Sequence, residues 1–195
     1  MKRLLFIRHG ESEANARGLI SSDRNGYHLV EEGRKQIEYL TGQIYKLRFR
    51  SAYSSPLLRC VESATLISGS LGIPISIDER LRETDYGDLN NSVIHGRLID
   101  LDPDFLRANR VESLESHLER TESFIKDSAD MSIVVTHGLV VRAAISIVTG
   151  IGQDEMGGVR IRPGSMTFMD TDSRRLYSLG NFQITDAIRK AFSVD

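Results

Sequence analysis

The chain has 195 residues, 40% of them hydrophobic and 27% charged, with a net charge of -2. That balance suits one globular domain with a full core. It offers no general field for nucleic acid or an anionic membrane, so any anion bound must meet positive charge gathered locally. The single cysteine, Cys60, rules out an intrachain disulfide and suits a reducing compartment. The apolar run after Met1-Lys2-Arg3 is too short for a secretory core, and no stretch has the length of a membrane span. The expectation is a soluble, cytoplasmic protein.

In chain order, LLFI (4–7) reads as a strand buried on both faces and ended by Arg8-His9-Gly10. Residues 29–47 place Leu29, Ile37, Leu40, Ile44 and Leu47 near helical spacing, with Gly33 a local weakness. RSAYSSP ends a short strand. The next segment, 54–72, is expected to be a helix with a serine cap and Pro56 in its first turn, stopping near Gly69 and Gly72. IPISI (73–77) is a further strand. Residues 84–110 are irregular and read as loop and short helix, a surface segment or lid.

A charged amphipathic helix is expected over 111–130, a strand over MSIVVTH (131–137) and a mostly buried helix over 139–150. Residues 165–170 and 174–182 form a late hairpin or adjacent strands around Thr171-Asp172-Ser173. Alternating strands and helices predict an α/β three-layer sandwich, a mostly parallel mixed sheet flanked by helices, over residues 1–195 as one domain.

Two strands end alike, in FIRHG and VVTHG. Open α/β sheets bind ligands beyond the carboxyl ends of their strands. Arg8, Arg59 and a protonatable His137 would make a small cationic pocket there, aided by helix N-termini near Ser55 and Gly138. Such a pocket suits a phosphoryl group, whose oxygens need several donors at once. His9 is a competent nucleophile near pH 7, and Glu83 could protonate a leaving oxygen and then activate water. This chemistry needs no cofactor, and the five histidines show no metal-ligand spacing.

The motifs RHGES (8–12) with Asn15, SSPLLRCVESA (54–64), LRETDYGDL (81–89) and VVTHG (134–138) together resemble the histidine phosphatase superfamily, the phosphoglycerate mutase-like group. The resemblance implies phosphorylation of His9. It implies phosphoryl binding by Arg8, Arg59 and His137, and proton transfer by Glu83. Ser12, Asn15 and the backbone around Gly10 and Gly138 would complete the phosphate cradle, with Gly10 letting the chain turn close to the phosphate. The expected partner is a small phosphorylated metabolite, taken up by a monomer or homodimer.

The resemblance covers two reactions. A mutase of this group carries a longer insert after the glutamate, with a lysine and an arginine pair. Here Arg97, Arg107 and Arg110 are present, but no arginine pair occurs and no lysine lies between Glu83 and Lys126. Leu139 stands where mutases tend to have asparagine. Tyr86 matches a mutase-like tyrosine, and VESLESHLER looks like a helix start common to both branches. The expectation is a phosphatase, with a bisphosphoglycerate-dependent mutase as the alternative and a non-catalytic phospho-ligand binder third.

Blander roles remain open for single residues. Arg59 could pair with Glu62, and Glu83 with Arg80 or Arg82. His28, His95 and His117 read as structural or surface groups, and Cys60 as a small buried apolar one. Arg160, Arg162, Arg174 and Arg175 read as solvated surface.

Overall fold

A computed structural model describes residues 2–96 and 98–193. Six strands form one sheet in the order β3-β2-β4-β1-β5-β6. These are β1 (Arg3–Arg8), β2 (Ser51–Ser54), β3 (Ile75–Ile77), β4 (Ser132–Thr136), β5 (Met166–Asp170) and β6 (Arg175–Leu176). β1, β2 and β3 run parallel to their neighbours through β4, whereas β5 is antiparallel to both β1 and β6. The mostly parallel mixed sheet is as expected, and the late segment is a hairpin. Its turn is closed by Asp170 Oδ1, which accepts from the backbone N–H groups of Asp172 and Ser173.

β1 shows why its apolar run needs no polar partner face. Leu4 and Phe6 project to one side of the sheet, Leu5 and Ile7 to the other, and all four are fully buried. Each such side chain contributes about 1.5–3 kcal/mol of burial. On the Leu5 side lie α2 (Glu31–Ile44), α3 (Leu58–Leu71) and α8 (Asp186–Phe192), packing Ile37, Ile67 and Phe192 onto Ile133 and Phe168. On the Leu4 side lie α5 (Leu114–Asp127) and α6 (Gly138–Thr149), packing Phe124 and Ile145 onto Val134. Three short helices complete the chain: α1 (Glu13–Ala16), α4 (Pro103–Ala108) and α7 (Gln153–Met156). Among the described residues no helix is long and apolar enough to cross a membrane.

Helix ends follow local chemistry where local chemistry decides. α3 and α6 stop at Gly72 and Gly150, which take the left-handed conformation with φ of 67° and 78°. α5 starts on Ser113, whose Oγ accepts from the Ser116 N–H. The start of α3 departs from the expectation of a Ser-Pro first turn. Ser54 ends β2, Pro56 and Leu57 form a bend, and α3 begins at Leu58 on an N-cap, Leu57, that makes no side-chain bond. Ser55 is drawn instead into the sheet edge, its N–H bonded to Val135 O.

The glycine inside α2 also has a tertiary cause. A Cβ on Gly33 would lie 2.0 Å from Glu11 O, and one on Gly10 would lie 2.3 Å from Gly33 O. The loop after β1 and the first turn of α2 therefore touch backbone to backbone. Gly10 thus has a packing reason of its own to be glycine. In an ordinary helix interior Gly→Ala stabilises by about 1 kcal/mol. Here Gly33→Ala is expected to destabilise by about 2 kcal/mol or more, measured by urea unfolding. An unchanged or raised midpoint would contradict the close contact.

Candidate active site

The parallel register sets the site. Arg8 pairs with Thr136 across β1 and β4, and Ser54 with Val135 across β2 and β4. The ladder continues one residue further, with His9 N–H on Thr136 O at 3.0 Å and Ser55 N–H on Val135 O at 3.0 Å. His9, Ser55 and His137 therefore leave the sheet edge side by side. Arg59, the second residue of α3, reaches in from above the β2 end.

Arg59 is the hub of this cluster. Its Nε–H donates to His9 Nε2 at 3.2 Å, and Nη2 donates to Ser21 O at 2.8 Å and to His137 Nδ1 at 3.3 Å. A guanidinium only donates, so the imidazole nitrogen that faces it carries a lone pair. His9 Nδ1 lies 2.7 Å from Gly10 O, which only accepts; the ring proton therefore sits on Nδ1 and Nε2 is the free nitrogen. By the same logic His137 is protonated on Nε2, which donates to Ser55 Oγ at 2.8 Å. The two rings stand edge to face with centroids 5.2 Å apart.

Burial pushes both imidazoles well below the usual histidine range, and the charges of Arg59 and Arg8 push the same way. Burial thus favours the uncharged form of His137, where the sequence alone suggests a cation. The positive charge comes from Arg8 and Arg59. Arg8 donates Nη1 to Ile161 O at 2.6 Å, leaving its buried Nε without a partner among the described residues. The buried Nη1 of Arg59 is in the same condition. Two unsatisfied guanidinium donors at one sheet edge are what an oxyanion requires.

Glu83 closes the cluster. Its side chain is 11% exposed, and Oε2 lies 4.0 Å from His137 Nδ1. Oε1 accepts from the Thr84 N–H at 3.0 Å. Neither neighbouring arginine competes for it: Arg80 binds Asp78 and Asp127, and Arg82 binds Glu112. Arg59 is likewise not spent on Glu62, which instead holds His28 and Arg34. Tyr86 is buried, and burial together with the Glu83 charge pushes its phenol well above the usual range, so it remains a hydroxyl.

The remaining cradle candidates divide. Gly138 opens α6 and packs on Arg8, with room for a Cβ 3.7 Å from the guanidinium. Ser12 is fully buried and caps α1; it and Asn15 bond each other in a capping box. Asn15 also lines a cleft of about 690 Å³ that has Arg8 in its wall. Burial raises the Cys60 thiol to about 12, and its Sγ lies 3.3 Å from His137 Nε2, so it is inert packing beneath the ring.

A profile of the histidine phosphatase superfamily (branch 1) matches residues 4–180. The chain belongs to this superfamily. Among its relatives, a 2,3-bisphosphoglycerate-dependent phosphoglycerate mutase of Thermoplasma acidophilum is 29% identical over the full length of both chains. A putative phosphoserine phosphatase 2 of Hydrogenobacter thermophilus is 30% identical, covering 86% of this chain and 88% of its own. The crystal structure of a putative α-ribazole-5'-P phosphatase from Escherichia coli superposes with a TM-score of 0.79 at 26% identity, over 95% of this chain and all of its own.

Within this histidine phosphatase fold, the structure adds a support that sequence reasoning passed over. Glu112 accepts from the Asp85 N–H at 3.1 Å and from Arg120 at 2.7 Å. Arg120 Nη1 donates to the carbonyls of Arg80 and Arg82 at 2.6 and 2.8 Å, and His117 Nδ1 lies 3.1 Å from Thr84 Oγ1. Burial opposes the charge of Glu112, but its bonds to His117 and Arg120 prevail and hold its carboxyl well below the usual range. This network fixes residues 80–85 on α5 and so fixes Glu83. The VESLESHLER segment was its only trace in the sequence.

The electrostatics can be read directly. Of the five histidines, His9 and His137 are expected to show no imidazole titration between pH 7.5 and 5.5 in ligand-free protein, followed by NMR of the ring Cε1–H groups. Titration of either near 6.5 would contradict the buried, neutral assignment.

Proposed function

We propose that the protein hydrolyses small phosphate monoesters through a phosphohistidine on His9. The observation that carries this reading is the free Nε2 of a buried, neutral His9 set beside two guanidinium groups with unsatisfied donors. Three phosphoryl oxygens would take up Arg8 Nε and Arg59 Nη1, turning the Arg59 donor away from the nucleophilic lone pair. His9 Nε2 forms a bond to phosphorus as the ester P–O bond breaks, and Glu83 gives its proton to the departing alcohol oxygen. Water then attacks phosphorus, its proton passes to Glu83, and the N–P bond breaks to restore His9 and release phosphate. His137 Nδ1, close to Glu83, takes a proton when the dianion enters and donates to it. Ser12, Asn15, Gly10 and Gly138 shape the surround, and Tyr86 offers a hydroxyl at its edge.

The 84–110 segment favours hydrolysis over mutase chemistry. Arg107 and Arg110 are exposed and bound to Asp104 and Asp88, so neither grips a substrate from above. Arg97 lies outside the described residues. The full-length likeness to the Thermoplasma acidophilum mutase and the buried Tyr86 support a bisphosphoglycerate-dependent mutase as the second reading. Rapid isomerisation of 3-phosphoglycerate, stimulated by 2,3-bisphosphoglycerate and without phosphate release, would overturn the hydrolase reading. A cytoplasmic setting is part of the same proposal, supported by the reduced, buried Cys60.

Two substitutions test the roles. His9→Ala is expected to lower kcat/KM at least about 1,000-fold and to remove acid-labile phosphate trapped by rapid quench. Glu83→Gln is expected to slow alkyl phosphates about 100-fold or more but p-nitrophenyl phosphate far less, because nitrophenolate leaves without a proton. Equal losses on both esters would remove Glu83 from the proton-transfer role.

A further inference from the structure

The cleft of about 690 Å³ beside Arg8 holds more positive charge than phosphoryl transfer uses. Arg142, Arg160 and Arg162 line it with Arg8. Residues 159–162 form a strap in which Ile161 is buried while Arg160 and Arg162 are exposed on either side of it. The strap is anchored to the catalytic strand. Ile161 O accepts from Arg8 Nη1, Val159 O accepts from Arg142 Nε at 2.8 Å, and the Gly164 N–H bonds the carbonyls of Arg8 and His9. Gly164 itself has φ of +67°, and a Cβ added there would lie 2.8 Å from Gln36 Cβ, so the end of the strap passes close to α2.

Arg160 and Arg162 carry no side-chain hydrogen bond or ion pair to another described residue. In a chain of net charge -2, four arginines on one cleft are a local concentration, and Glu11 is the single carboxylate among the lining residues. No described residue of 84–110 lines this cleft. A cleft of this volume accommodates a small metabolite.

We propose that Arg160 and Arg162, with Arg142, form a subsite for a second anionic group on the substrate. The preferred esters are then acid phosphates, carrying a carboxylate or a second phosphate beyond the scissile one. Glu11 and Asn15, on the same cleft, face the hydroxyl or amino substituents of such a molecule. The inference rests on the phosphomonoesterase reading, and its test is separable from it.

Binding is measured by calorimetry in the His9→Ala protein, where turnover is blocked. Two ligand pairs are compared: 3-phosphoglycerate with glycerol 3-phosphate, and fructose 1,6-bisphosphate with fructose 6-phosphate. The member with the extra anion is expected to bind roughly tenfold or more tightly in at least one pair, and which pair does so identifies carboxylate or phosphate as the group read. Adding R160Q and R162Q is expected to reduce that preference to about threefold or less, while R160K and R162K together retain part of it. Equal affinities within both pairs, or a preference that survives the glutamine substitutions, would overturn the subsite. If the parent protein hydrolyses none of the four esters but the preference and its loss are seen, the subsite stands and the hydrolase reading fails.

Discussion

A buried guanidinium between two neutral imidazoles governs this molecule. Arg59 is 4% exposed, touches His9, His137 and Ser21 O, and makes no salt bridge among the described residues. Removing one charge from water costs several kcal/mol even after relaxation, and neutral acceptors offset only part of that. The same charge depresses both imidazoles, so neither can share it. What relieves the strain is an anion. On the proposed reading, the cluster combines a nucleophile that needs no deprotonation with a phosphoryl site whose positive charge is already in place and desolvated.

The rest of the fold keeps that arrangement from relaxing. Parallel pairing of β1, β4 and β2 fixes the spacing of His9, His137 and Ser55. The glycine contact between residues 10 and 33 clamps the loop that follows His9 onto α2. On the other wall, Glu112, Arg120 and His117 pin residues 80–85, so Glu83 approaches His137 without pairing to its neighbouring arginines. Rigid placement of this kind is what lets a single carboxylate act in both directions of proton transfer.

Much of this was legible in the sequence, because strand tips and helix stripes are local patterns. LLFI and SIVVT announce buried strands, and their endings deliver Arg8, His9 and His137 to one edge. The superfamily motifs add Arg59 and Glu83 in the right order. What the sequence hid is long-range. Ser55-Pro56 has the chemistry of a helix cap, yet Ser55 is taken by His137. Gly33 looks like a weak point in α2, yet it is required by the close approach of a backbone distant in sequence, the loop at Glu11. The complete burial of His137, which disfavours its charged form, is not visible in the sequence either. Arg160 and Arg162 are exposed, as the sequence suggests, but nothing local ties their alternating strap to Arg8. Membership of the superfamily gives the class of chemistry, phosphohistidine-type phosphoryl transfer.

The central claim concerns which nitrogen is free. With Nδ1–H held by Gly10 O, the proposed phosphorylation of His9 would fall on Nε2. Rapid-quench trapping with a slow ester, followed by ³¹P NMR and peptide mass analysis of the denatured phosphoprotein, reads the site and the isomer together. The account predicts a single Nε2-phosphohistidine at position 9. An Nδ1-phosphohistidine there, or phosphate on His137, would contradict it.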